Sequence, residues 1–370
     1  MKDFAKILGI NIYIFLILLF SPALLLKIYG FTRAKFVNTL NLTKDKRSLY
    51  PVYSDKDFSI KLLNEFKKFS TEYKSYIGWK LNKANFDYTT VHGQYNSRKS
   101  KGEEIDDSVW FFGGSTIWGF GASDFQTIPS HFNSITERSV FNFGEIGWNS
   151  RQSLNQLITA LGDHHKPSVI IFYDGFNDII QQCRNEIHSI PAHGREEYLQ
   201  NIITSENSSF RRKIVRFIYE PYKPIVKKFK TNSNLTNSSL YDCHLNQNKA
   251  RLIAQHLVKT WYTAFIISSE NQIPFYAILQ PHLFTTYTNF EYMDEEFKQT
   301  LPEYERQLSV VYPLIIKEMK KECDKKINFC DSFKDGTNWL DNQKNIFLDY
   351  CHINSRGNYV VAKKIADLIK

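Results

Sequence analysis

Val109-Trp110-Phe111-Phe112-Gly113-Gly114-Ser115-Thr116-Ile117-Trp118-Gly119 runs four apolar residues straight into two glycines and a serine. A short apolar run bounded by glycine reads as a buried strand that ends in a tight turn. The serine then stands at the strand's tip, where a side chain is available for chemistry. A serine hydroxyl is a weak nucleophile; it needs a base to take its proton and a third group to orient that base. Asp349-Tyr350-Cys351-His352, near the end of the chain, supplies both residue types.

Further runs of the same kind flank this one. Ser139–Phe143 ends at Gly144, Val169–Tyr173 at Asp174-Gly175, Phe275–Leu279 at Gln280-Pro281, and Ile327–Cys330 at Asp331. Between and after them lie helical stretches: Ser150–Leu161, Ala250–Ser269, Glu303–Lys321 and Arg356–Ile369. Continuous apolar strands separated by helices predict an α/β fold of three layers, a five-stranded parallel sheet covered on both faces. Ligands in such sheets bind beyond the carboxyl ends of the strands, which is where Ser115 falls.

The chain of 370 residues divides by composition. Residues 1–28 hold the uncharged run Ile7–Leu26, long enough to span a bilayer as a helix, and predict a single-pass, uncleaved membrane anchor. Basic residues flank both ends of this run, so charge alone does not orient it; an extracytoplasmic catalytic domain is expected from the substrate reading below. Residues 29–106 form an aromatic and basic prelude expected to pack on the main domain, which occupies 107–370. An insertion at about 185–248 carries Phe210, Ile214 and Phe217 near one helical face, opposite basic residues. It reads either as a surface excursion or as a functional element, a lid over the substrate site or an in-plane membrane contact. The net charge of +9 is spread along the chain, apart from the basic stretch Arg211-Arg212-Lys213 through Lys230, which points to an anionic membrane or glycan surface and not to nucleic acid. The five cysteines contain no CxxC pair and no zinc spacing. The interval between Cys323 and Cys330 permits a disulfide in an exported domain, and buried free thiols are the alternative.

Four blocks at loop ends therefore carry the chemistry: Gly113-Gly114-Ser115, Asn142-Phe143-Gly144-Glu145-Ile146-Gly147, Asp174-Gly175-Phe176-Asn177-Asp178 and Asp349-Tyr350-Cys351-His352. Each alone is a common turn or cap. In this order, over about residues 107–370, they resemble the SGNH (GDSL-like) hydrolase superfamily, named for a Ser, Gly, Asn and His in four blocks. The Gly-Gly-Ser-Thr first block, the N-terminal anchor and the prelude look like a membrane-anchored bacterial subgroup of it. The resemblance implies a flavodoxin-like strand order and no metal or organic cofactor. It implies Ser115 as nucleophile, His352 as base and Asp349 as its orienting partner. The Ser115 and Gly147 N–H groups and the Asn177 amide would bind the oxyanion, with Gly144 the runner-up to Gly147. Gly114 stands where the family usually has Asp. Ile117 stands where an α/β-hydrolase elbow needs glycine, which disfavours that fold. Asp178 is expected to cap a helix. Trp118, Trp148 and His282 are candidates to touch substrate. The expected activity is hydrolysis or transfer of a small acyl group, foremost O-acetyl esters of a cell-surface carbohydrate. Acyl transfer to glycan, lipid ester hydrolysis and non-catalytic glycan binding are the alternatives.

Overall fold

The computed structural model describes residues 45–196, 199–200, 240–325 and 327–369, with scattered helical residues between 4 and 32. The chain divides into two units: residues 45–199 with 239–370, which carry everything described below, and residues 1–44 with 200–238, which fall mostly outside the described residues. Among the described residues no helix is long and apolar enough to cross a membrane. Part of the 7–26 run and the whole 210–218 segment lie outside the described residues.

Five strands make the central sheet: β1 (Val109–Gly113), β2 (Val140–Asn142), β3 (Val169–Asp174), β4 (Phe275–Leu279) and β5 (Phe333–Asp335). Their order is β2-β1-β3-β4-β5 and every pairing is parallel, the flavodoxin-like arrangement. Val109 lies opposite both Val140 and Val169, so side chains of neighbouring strands keep step. Trp110, Phe112, Ile170 and Phe172 therefore enter one core, and Val109, Phe111, Ile171 and Tyr173 enter the other.

Seven helices matter for the site: α1 (Ser115–Trp118), α2 (Ile128–Thr136), α3 (Ser150–Gly162), α4 (Phe176–Gln182), α5 (Gln247–Glu270), α6 (Leu301–Lys325) and α7 (Ser355–Leu368). Leu157 of α3, Trp261 of α5 and Ile315 of α6 cover the first face; Phe132 of α2 and Ile365 of α7 cover the second. Each such side chain buried in full contributes about 1.5–3 kcal/mol. Two helices that start beside the site are firmly capped. Asn149 and Gln152 form a reciprocal capping box on α3, and Asn354 accepts from the Gly357 N–H on α7.

One strand assignment is corrected. Ile327–Cys330 is a helical turn, and the fifth strand is Phe333–Asp335, paired with Ala277–Leu279. A four-residue run with three apolar members cannot by periodicity alone distinguish strand from helix. Here Phe329 is buried against Tyr262 and Phe265 of α5, and Cys330 is tied back to Cys323 of α6. The second disulfide, Cys183–Cys243, joins the two ends of the insertion.

The prelude residues from 45 onward belong to the same unit as the sheet. A helix, Lys56–Phe66, is capped by Asp55. A hairpin pairs Thr71–Lys74 with Gly78–Leu81, and a small antiparallel sheet joins Ala84–Asn85, Thr90–His92 and Ser97–Arg98.

Candidate active site

Ser115 is the first residue of α1, directly after β1, and is 7% exposed. The turn that presents it demands glycine twice. At Gly113 (φ +157°) a Cβ would lie 2.5 Å from the Tyr173 carbonyl oxygen. At Gly114 a Cβ would lie 2.4 Å from Asn177 Nδ2 and 3.2 Å from the Trp148 carbonyl oxygen. A side chain at 114 would therefore push aside the Asn177 amide, which accounts for glycine here in physical terms.

Ser115 Oγ lies 2.6 Å from His352 Nε2. His352 Nδ1 lies 2.7 Å from Asp349 Oδ2 and 2.9 Å from Oδ1. An ionised carboxylate only accepts, so Nδ1 carries the ring proton and Nε2 is left to accept from the serine. The three-residue spacing is closed by the backbone: the Cys351 and His352 N–H groups both donate to Asp349 Oδ1, at 3.1 and 2.9 Å. Burial by itself would push the Asp349 carboxyl up. His352 and then Arg47 outweigh it and hold the carboxyl well below the usual carboxylate range. Phe120 covers the imidazole, with ring centroids 4.5 Å apart. Asp349, Cys351 and His352 also bring three possible metal donors together. Both ring nitrogens are already engaged by Asp349 and Ser115, however, and burial pushes the Cys351 thiol far up, so this donor set is committed to the hydrogen-bonded chain.

Arg47, from the start of the described prelude, was not singled out in the sequence. Its Nη1 donates to Asp349 Oδ2 at 2.8 Å, while Nε and Nη2 donate to Asp45 at 3.0 and 2.8 Å. Nothing in the sequence distinguishes it from the many other basic residues; only the fold brings it 302 positions along the chain to Asp349.

The second and third blocks meet beside the serine. Asn177 Nδ2 donates to the Trp148 carbonyl at 2.7 Å. The two glycines of the second block separate by environment. A Cβ on Gly144 would collide with the Trp118 backbone nitrogen at 2.6 Å, and the Gly144 N–H is taken by Asn142 Oδ1. Gly147 has φ +80°, a conformation that favours glycine, and its carbonyl accepts from His193 Nε2 at 2.8 Å. His193 Nδ1 accepts from the Arg195 N–H, which fixes the tautomer that donates to Gly147. Burial holds the His193 imidazole down to about 4, so it is neutral near pH 7.

The prelude hairpin grips the same loop from another side. Trp79 Nε1 donates to the Ile146 carbonyl, Trp148 Nε1 to the Trp79 carbonyl, Gln152 Nε2 to the Ile77 carbonyl, and the Leu81 N–H to Glu145. Glu145 is fully buried, with Lys80 Nζ 3.8 Å away. Asp178 accepts from the Ser150 N–H and hydroxyl at the start of α3, and backbone N–H groups at the start of its own helix also favour its carboxylate. Burial pushes its carboxyl up to about 6, and the neighbouring buried Asp174 is raised as well.

The three residues expected to touch substrate lie in the interior. Trp118 packs against Phe66, Phe69 and Arg98; Trp148 is sandwiched with Trp79 and Lys80. His282 is 2% exposed, wedged against Tyr312, and held neutral by burial down to about 3. An aromatic residue beside a motif reads the same in sequence whether it faces the rim or the core.

No protein-family model matches the chain, and no curated protein does. Solved structures do. A member of the lipolytic protein G-D-S-L family from Veillonella parvula matches at 12% identity and a TM-score of 0.37, over 71% of this chain and 97% of its own. A carbohydrate acetylesterase from Sinorhizobium meliloti matches at 12% identity and a TM-score of 0.35, over 71% and 97%. An acetyl xylan esterase matches at 11% identity and a TM-score of 0.33, over 71% and 100%. At these scores the likenesses carry no further argument, and the fold stands on the chain's own strand pairing.

Proposed function

We propose that this protein is a serine ester hydrolase working through an acyl-serine intermediate. The observation that carries this reading is the unbroken chain Ser115 Oγ, His352 Nε2, His352 Nδ1, Asp349, with links of 2.6 and 2.7 Å. In that chain the serine hydroxyl donates to an imidazole nitrogen whose ring tautomer is set by Asp349. His352 takes the proton as Ser115 attacks the ester carbonyl, and returns it to the leaving alcohol. Asp349 stays ionised and stabilises the imidazolium.

The oxyanion would be met by the Ser115 and Gly147 N–H groups and the Asn177 amide. Gly147 is preferred to Gly144 because the Gly144 N–H is spent on Asn142. Asn177 retains a second N–H after its bond to Trp148. Losing one such donor typically costs about 2.7–4 kcal/mol of transition-state stabilisation.

A small acyl group suits a serine that is 7% exposed and hemmed by the Phe120 ring over its base. O-acetyl esters of an anionic cell-surface carbohydrate are the substrate class we favour, reached by a chain anchored through residues 7–26. Two paired cysteine sets support an oxidising, extracytoplasmic setting. Hydrolysis of p-nitrophenyl acetate and longer acyl esters, wild type beside Ser115→Ala, tests the reading. Activity that vanishes in the variant and falls with acyl length is expected. Equal rates from both proteins overturn it.

A further inference from the structure

Asp349 is not shared by His352 alone. Its Oδ2 accepts both from His352 Nδ1 at 2.7 Å and from Arg47 Nη1 at 2.8 Å, and the rest of the Arg47 fork is held by Asp45. Four charged or chargeable groups thus stand in one hydrogen-bonded line: Asp45, Arg47, Asp349 and His352. The Arg47 side chain is 25% exposed and that of Asp349 is 4% exposed, so water screens this line poorly. Phe120 closes one flank, with the Arg47 guanidinium 4.9 Å from its ring centroid and the same ring over His352.

We infer that Arg47 is a positioning residue that sets the working pH of the His352 base, with Asp45 as its counterweight. This rests on the esterase reading above. The sign follows from the charges. With His352 neutral, the two carboxylates and Arg47 leave one net negative charge in the line, and protonating His352 brings it to zero. Removing the Arg47 charge leaves two uncompensated carboxylates, which favour the imidazolium. The acid limb of the pH–rate profile then moves to higher pH. Removing the Asp45 charge leaves Arg47 and Asp349 neutral as a pair before His352 takes a proton, which disfavours the imidazolium relative to wild type, and the limb moves the other way.

The other groups around the line do not upset this balance. His352 also faces the Ser115 hydroxyl and the Cys351 thiol, whose ionisation burial pushes far up. Tyr53, Tyr292 and Tyr350 feel the Asp349 charge, and burial raises all three phenols, so they remain neutral. Lys67 acts on Asp45 from beyond the line. Arg47 also spans the fold. It lies in the short 3-10 turn Lys46–Leu49, so the segment entering the domain reaches directly to the carboxylate of the last block.

The test compares full-chain wild type with Arg47→Met, Arg47→Lys and Asp45→Asn, reading kcat/KM for p-nitrophenyl acetate from pH 4 to 9. Arg47→Met is expected to move the acid limb up by about one pH unit. Asp45→Asn is expected to move it down by a smaller amount. Arg47→Lys, which keeps the charge but loses the fork, is expected to hold the limb near its wild-type position at a lower plateau. An NMR titration of the His352 ring reads the same shifts without turnover, so the inference can be judged even if the protein hydrolyses no ester. A limb and a ring titration that stay in place in Arg47→Met overturn the inference and leave Arg47 a packing residue. Shifts of Arg47→Met and Asp45→Asn in the same direction also overturn it.

Discussion

Two regions meet at Ser115, and they are built differently. The Ser115–His352–Asp349 line is closed chiefly by its own members, two short links and two backbone N–H donors inside a single turn between residues 349 and 352, with Arg47 donating to Asp349 from the prelude. The Gly147–Asn177 cradle makes almost none of its own bonds. Gly147 is held by His193 from the insertion, its neighbours Ile146 and Trp148 by the prelude hairpin, and Asn177 by the Trp148 carbonyl. The groups proposed to move protons are bonded directly to one another, with Arg47 reaching Asp349 from the prelude, whereas the groups that would stabilise charge are positioned mainly from outside their own block.

That contrast can be sharpened by substitution. Asn177→Ala should lower kcat on p-nitrophenyl acetate by about 10²–10³-fold. It should barely change KM or the urea midpoint, because the side chain is only half-buried and its amide makes a single hydrogen bond, to the Trp148 carbonyl. A fall in stability matching the fall in rate would remove Asn177 from the cradle.

Asp178 ties the cradle to the core through α3, and its behaviour should appear in stability. Its folded-state carboxyl is raised to about 6 by burial. As pH rises from about 4 to 6, the unfolded chain gives up its proton while the folded chain keeps it, so stability falls across that window. In Asp178→Asn the decline should shrink by about 2 kcal/mol. Urea unfolding at pH 4.5 and 7 measures it, and an equal slope in both proteins would contradict the burial argument.

His193→Ala is the smallest expected effect. It removes a single donor to the Gly147 carbonyl, and kcat should fall about tenfold as the loop loosens. Stability should fall by only about 1 kcal/mol. No change in kcat would mean that the prelude alone fixes Gly147.

The same contrast explains what the sequence could show. β1, β3 and β4 are built on apolar runs of four or five residues ending in turn residues, and they emerge within a residue of their expected limits. β5 does not, because Phe333-Lys334-Asp335 is three residues of mixed polarity whose strand character comes from pairing with β4. Ile327–Cys330 carries the stronger apolar pattern and folds as a helical turn. That the hydroxyl, imidazole and carboxylate of Ser115, His352 and Asp349 come together was legible because the proposed chemistry restricts their types and the last two share one turn. Arg47, His193 and Trp79 were not. Each sits in a polar or irregular stretch and acquires meaning only when long chain separations close, 302 residues for Arg47 and 67 for Trp79.

The most direct test of the central claim is covalent. Full-chain protein treated with a small fluorophosphonate should gain one adduct by mass spectrometry, mapped to Ser115. The adduct should be absent in Ser115→Ala and form at least about 100-fold more slowly in His352→Ala. An unmodified Ser115, or an adduct that forms equally fast without His352, would contradict the account.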